Sequence, residues 1–187
     1  MRLGFSTSTV GEIYFLPGRG SSFNGRLGTE LKARGWKLVG RVLEGEFLKL
    51  NFPEQIELIS EDLQNCDSKV TPLIAHSFGG YLALHALLAN RGHIGRVLLI
   101  SPIVSAIVGN GRMFRPAQSK KIVHSLDAGT FPKLDMRIVV GDLDWQSPIE
   151  ICKQITESSG GSINIAQGKG HQLGAEVVKH ELDIFNI

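Results

Sequence analysis

Short runs rich in β-branched and aliphatic residues alternate along this chain with longer amphipathic ones, and few folds accept that pattern. Six runs read as strands: 13–16, 38–42, 72–75, 97–100, 137–140 and 163–166. Several are apolar at nearly every position, as strands covered on both faces should be. Helices are expected at 26–34, 54–64, 78–89, 148–157 and 173–185. The first stops at Gly35, the second starts just after Pro53, the third ends near Asn90-Arg91-Gly92, and the fourth carries Pro148 in its first turn. Strands separated by helices need crossover connections, so the sheet is parallel with helices on both faces. The expected fold class is α/β, a three-layer sandwich with a mostly parallel sheet of about six strands.

The length of 187 residues suits a single domain spanning 1–187. The least regular stretch, 102–132, is expected to form a small flap with one or two short helices. With 20 basic against 18 acidic residues, the net charge of +2 does not argue for nucleic acid or an anionic membrane. Cys66 and Cys152 stand far apart, outside any CxxC or Cys/His cluster, so neither a disulfide framework nor a metal site is expected. Residues 1–9 lack the apolar core of a signal peptide, and no apolar run approaches the ~20 residues of a membrane span. A cytoplasmic protein is expected. Segment 78–89 is apolar nearly all round and reads as a helix buried against the sheet. Gly79 and Gly80 there cost roughly 1 kcal/mol each in helix propensity, so close packing must require them.

The sharpest local signal is Leu73-Ile74-Ala75-His76-Ser77-Phe78-Gly79-Gly80, where a strand runs straight into a helix with serine at the turn. It resembles the nucleophile elbow G-x-S-x-G, with Ala75 in place of the first glycine. A turn that sharp strains the backbone at the serine and leaves no room for bulk two residues to either side. The ordinary alternative is a serine that merely caps the following helix.

Two later segments favour the catalytic reading. The strand at 137–140 ends in Gly141-Asp142-Leu143-Asp144-Trp145-Gln146-Ser147-Pro148, and the strand at 163–166 leads to Gly168-Lys169-Gly170-His171. These resemble the acid and histidine loops of α/β-hydrolases, and the order Ser77, Asp144, His171 is that family's order. All three residues fall at the carboxyl ends of strands, where open α/β sheets keep their sites. The resemblance implies that Ser77 is a nucleophile, that His171 takes and returns its proton, and that Asp144 orients the imidazole. Asp142 is the rival acid, with a loop-turn role as its alternative; the Gly-x-x-Asp spacing favours Asp144. His76 is assigned to the strand end or the pocket, and His85, His93, His124 and His180 to structural or surface roles.

The oxyanion donors implied are the backbone N–H of Phe78 and one amide of the loop after the first strand, from Gly18 or Arg19. That loop is a poor nucleotide site. Gly18-Arg19-Gly20-Ser21-Ser22-Phe23 lacks the third glycine of GxGxxG, and Gly20 to Gly25 is followed by Arg26-Leu27 where a P-loop needs Lys and Ser or Thr.

The resemblance to α/β-hydrolases covers essentially the whole chain. It implies a minimal version of the fold, with strand order 2-1-3-4-5-6, right-handed crossovers and no large cap. An open, shallow site would favour small or exposed acyl groups over long buried ones. Trp145, His76 and Phe114 are candidates for the substrate pocket. Ile103, Val104, Ile107 and Val108 are weighed for the same wall against an ordinary core role. The implied activity is hydrolysis of a carboxylic ester or thioester, through an acyl-serine intermediate, on a small-molecule acyl substrate and without a cofactor. The reading from another class is a non-catalytic ligand-binding protein that keeps the fold.

Overall fold

The computed structural model describes residues 11–67, 71–89, 95–109 and 112–187, with the backbone alone at 107–109 and 112. The expectations placed on residues 1–9, on Asn90 to Gly92, on His93 and on the Ile107 and Val108 side chains lie outside the described residues.

The elements follow in the order β1 (Glu12–Leu16), α1 (Arg26–Ala33), β2 (Lys37–Gly40), α2 (Gly45–Lys49), α3 (Phe52–Asn65), β3 (Leu73–His76), α4 (Phe78–Ala89) and β4 (Val97–Ile100). Then come β5 (Ile107–Gly109), β6 (Arg112–Phe114), α5 (Lys121–Asp127), β7 (Met136–Gly141), α6 (Ile149–Ser159), β8 (Ser162–Ala166) and α7 (Ala175–Ile184). Six strands pair in parallel in the order β2-β1-β3-β4-β7-β8. Since β7 and β8 are the fifth and sixth runs identified in the sequence, this is the expected order.

The central strands are apolar throughout because alternate residues feed two cores. Tyr14, Leu16, Leu73, Ala75, Leu99 and Ile138 face one way, against side chains of α3, α4 and α6. Ile13, Phe15, Ile74, Leu98 and Val139 face the other, against Leu31 of α1 and Leu182 of α7. The result is the three-layer sandwich that the alternation of periods requires. Helix α4 is buried on every side from Phe78 to Leu87, which explains its lack of a polar face.

One expectation is incomplete and one needs correction. The 102–132 stretch holds a short helix as expected, α5, and also a hairpin that the sequence reading did not include: Ile107–Gly109 pairs antiparallel with Arg112–Phe114. An Asn-Gly pair preceded by β-branched Ile107 and Val108 and followed by Met113 and Phe114 favours a hairpin over a helix. Helix α3 starts at Phe52, before Pro53. The Asn51 side chain accepts the Glu54 N–H at 3.1 Å while the Glu54 carboxylate accepts the Asn51 N–H at 2.8 Å, a complete capping box that tolerates proline in the first turn.

Candidate active site

Ser77 sits between the end of β3 and the start of α4 with φ at 54°, in the left-handed region that a serine rarely occupies. Such strain costs about 1–3 kcal/mol and persists only when the surroundings impose it. Here the Ser77 N–H donates to the Ile100 carbonyl at 3.1 Å, and its own carbonyl accepts the Ile103 N–H at 3.1 Å and the Tyr81 N–H at 3.3 Å. The small neighbours are equally constrained. A Cβ on Gly79 would strike the carbonyl oxygens of Leu16 and Pro17, and one on Gly80 would lie 2.7 Å from the Pro102 side chain. Ala75 is fully buried. The β3–α4 turn therefore points the serine side chain away from a tightly packed backbone.

The acid and histidine loops meet through a glycine. A Cβ on Gly141, the last residue of β7, would strike the carbonyl of Lys169 and lie 2.6 Å from that of Gly170, so only glycine lets the two loops approach. His171 is then held between two side chains. Its Nδ1 lies 2.9 Å from the Asp144 carboxylate and its Nε2 2.8 Å from the Ser77 hydroxyl. With the proton on Nδ1 donated to Asp144, Nε2 is left as the acceptor for the serine O–H. Asp144 is 5% exposed, and its other oxygen accepts the Gln146 N–H at 2.9 Å. Burial pushes its carboxyl up, but the bond to His171, the His171 charge and the Gln146 N–H outweigh this and hold it below the usual carboxylate range. It is therefore ionised at neutral pH. Asp142 does not reach the imidazole; its carboxylate accepts the Lys169 N–H at 3.2 Å and braces the histidine loop.

A groove of about 970 Å³ opens over Ser77. His76 and Phe114, both expected at the pocket, line it, as do Phe78, Gly18 and Arg19. Gly18 packs against Ser77: a Cβ there would lie 3.2 Å from that of the serine. The Phe78 and Arg19 amides donate to no acceptor among the described residues. His76 lies beside His171, with ring centroids 5.8 Å apart, and burial together with the neighbouring imidazole lowers its pKa to about 4. It is therefore neutral at neutral pH. Trp145, by contrast, does not line the groove; Gln146 does, because the turn that brings the Gln146 N–H to Asp144 presents that residue inward. Of the aliphatic candidates, Ile103 reaches the groove and Val104 is fully buried in the core.

Sequence reasoning missed the far half of the groove, formed by Leu27 and Ala33 of α1 with Leu173 and Val178 at α7. The signal available was the apolar stripe each helix turns toward the sheet. A second cavity of about 700 Å³ lies beside Tyr14, Arg41 and Asp62 and contains none of Ser77, Asp144 or His171. Among the described residues no group of three or more His, Cys, Asp or Glu side chains is placed to hold a metal, and no helix is long and apolar enough to cross a membrane.

The fold is shared with known hydrolases. The chain resembles the monoacylglycerol lipase of Paleococcus ferrophilus at 15% identity, with 92% of this chain and 93% of that one covered and a TM-score of 0.69. Esterase PE8 is similar at 15% identity, with 95% and 92% covered and a TM-score of 0.67. So is mouse alpha/beta hydrolase domain-containing protein 10, at 15% identity, 94% and 88% covered and a TM-score of 0.66. No curated protein matches the chain by sequence. The family model described as Serine hydrolase matches residues 34–177, more than half of the chain, and with the α/β-hydrolase fold around Ser77 this makes the protein a member of the serine hydrolase family.

Proposed function

We propose that the protein hydrolyses carboxylic esters or thioesters through an acyl-serine intermediate, with Ser77 as nucleophile, His171 as general base and acid, and Asp144 as the orienting carboxylate. One observation carries this reading: the continuous chain from Ser77 Oγ to His171 Nε2 at 2.8 Å and from His171 Nδ1 to Asp144 at 2.9 Å. A serine hydroxyl is a poor nucleophile until an adjacent base accepts its proton. As the Ser77 oxygen attacks the substrate carbonyl, His171 takes that proton and the imidazolium is stabilised by Asp144. The tetrahedral oxyanion is held by the Phe78 N–H and by an amide of Gly18 or Arg19. Collapse breaks the bond to the leaving alcohol or thiol, which leaves with the proton from His171. Water then attacks the acyl-serine with His171 again as base, releasing the acid and restoring the hydroxyl. The groove's open access favours short or exposed acyl groups.

The test is labelling with a fluorophosphonate, followed by mass spectrometry of the modified peptide. Wild-type protein is expected to label at Ser77, and His171→Ala to lose that labelling while remaining folded. Well-folded wild-type protein that does not label would overturn the proposal.

A further inference from the structure

Every charged side chain lining the groove has an ordinary partner except two. Arg19 and Arg26 make no ion pair or hydrogen bond among the described residues, although both are long, exposed and turned to the same groove. The groove's one acid, Glu30, is already engaged, 3.0 Å from Arg34 and 3.7 Å from Lys179. Asp144 stands behind His171, paired with it and buried. A substrate seated on Ser77 therefore meets two uncompensated guanidinium groups and no free carboxylate.

Arg19 is also positioned. Its guanidinium carbon lies 4.8 Å from the centre of the Phe78 ring, and that ring packs edge-on to Phe114 at 6.1 Å. Stacking on an aromatic face holds a guanidinium by its plane and leaves its N–H edge free, the geometry that binds carboxylate or phosphate in two-point fashion. Phe78 follows Ser77 directly, and Arg19, Phe78 and Ser77 all line the one groove.

Charge along the chain is segregated in the same sense. No Asp or Glu occurs between 68 and 126, a span that includes β3, α4 and the whole flap hairpin. The flap carries Arg112 and Arg115, and Lys120 and Lys121 follow it. Phe114, the neighbour of Arg115, is in the groove wall. Of the cations unpaired among the described residues, Arg19 and Arg26 line the groove itself, and positive charge at a site raises the local concentration of anionic ligands and their rate of arrival.

Resting on the esterase reading above, we propose that this groove selects esters or thioesters that bear a negatively charged group, a carboxylate or phosphate, and that the Arg19 side chain is the residue that recognises it. The anion could belong to the acyl part or to the leaving part, and matched substrates separate the two. On the acyl side, 4-nitrophenyl hemiglutarate is compared with neutral 4-nitrophenyl pentanoate. On the leaving side, 4-carboxyphenyl butyrate is compared with its methyl ester. The readout is the ratio of kcat/KM, anionic over neutral, in each pair.

In one arm the ratio is expected to reach about ten, the usual worth of a charge-assisted contact in a partly wet site. Arg19→Met should bring it close to one, Arg19→Lys should keep part of it, and raising salt to about 0.5 M should shrink it in the wild type. Neutral esters preferred in both arms, or a ratio that Arg19→Met leaves unmoved, would overturn the inference while Ser77 labelling and neutral-ester hydrolysis still stood. If no ester is cleaved and Ser77 does not label, the esterase reading falls and this one falls with it.

Discussion

Asp144 is a buried carboxylate that keeps its charge because His171 and the Gln146 N–H are bonded to it. Replacing it with asparagine preserves shape and reverses the logic. The amide N–H₂ facing Nδ1 favours the tautomer whose proton sits on Nε2, so the base toward Ser77 is lost. Asp144→Asn is therefore expected to lower kcat by roughly 10⁴ with little change in thermal midpoint. Asp142→Asn keeps an oxygen for the Lys169 N–H and should leave the rate near that of the wild type. Steady-state kinetics on one activated ester, with a melting curve for each variant, decide the matter; equal losses in the two variants would refute the assignment of the acid. The residues that meet at this candidate site were legible because each lies in a local motif marked by glycines: Gly79 behind Ser77, Gly141 before Asp144, Gly168 and Gly170 before His171. Trp145 misled because one turn of backbone, closed by the Gln146 N–H on Asp144, decides which neighbour faces the groove, and no periodicity encodes that choice.

Helix α7 follows the histidine loop directly, so its docking sets where His171 can stand. The helix is pinned by Glu181, fully buried, whose carboxylate accepts from Arg137 of β7 at 2.5 and 3.3 Å and from the Asn164 amide of β8 at 2.6 Å. Removing one member of such a pair strands the other, at a cost of about 3 kcal/mol after allowing for the partial exposure of Arg137. Glu181→Ala should lower the urea midpoint accordingly without changing m, while Glu181→Gln, which still offers an oxygen to Asn164, should lose less. An alanine variant as stable as the wild type would remove this anchor from the account. Nothing in the sequence singled out Glu181: a glutamate in an amphipathic helix looks like surface until the edge strand beside it is known. The β5–β6 hairpin went unread for a different reason. Ile103 to Val108 is an apolar run too short for its period to distinguish strand from helix, and the useful clue, the Asn110-Gly111 pair, lay beyond its end.

For the molecule as a whole, the strand order and the two cores were readable because a two-faced parallel sheet imposes continuous apolar strands, and these are hard to mistake. A consequence that periodicity does not reveal is that burial keeps two histidines neutral, His85 inside the core and His76 in the wall of the groove. His85 is fully buried on α4 between the Phe52 ring, edge-on at 5.0 Å, and the Tyr81 ring at 4.5 Å, and neither of its nitrogens has a hydrogen-bond partner among the described residues. Burial, aided by the charge of Lys121, lowers its pKa from 6.5 to about 4, and His76 is lowered as far. The unfolded chain therefore binds protons below about pH 6.5 that the folded chain refuses until about pH 4. Stability is fully present above that window, falls as pH drops through it and levels off beneath. Each histidine contributes up to about 1.4 kcal/mol per pH unit within it. His85→Leu removes one of these groups together with two unsatisfied buried nitrogens. It should stabilise the fold by about 1 kcal/mol at pH 8 and by roughly 2 kcal/mol more at pH 5. Urea unfolding at the two pH values reads the difference directly. A gain that is the same at both would mean that His85 takes up its proton as readily in the fold as out of it, and that the acid sensitivity of this protein lies with other groups.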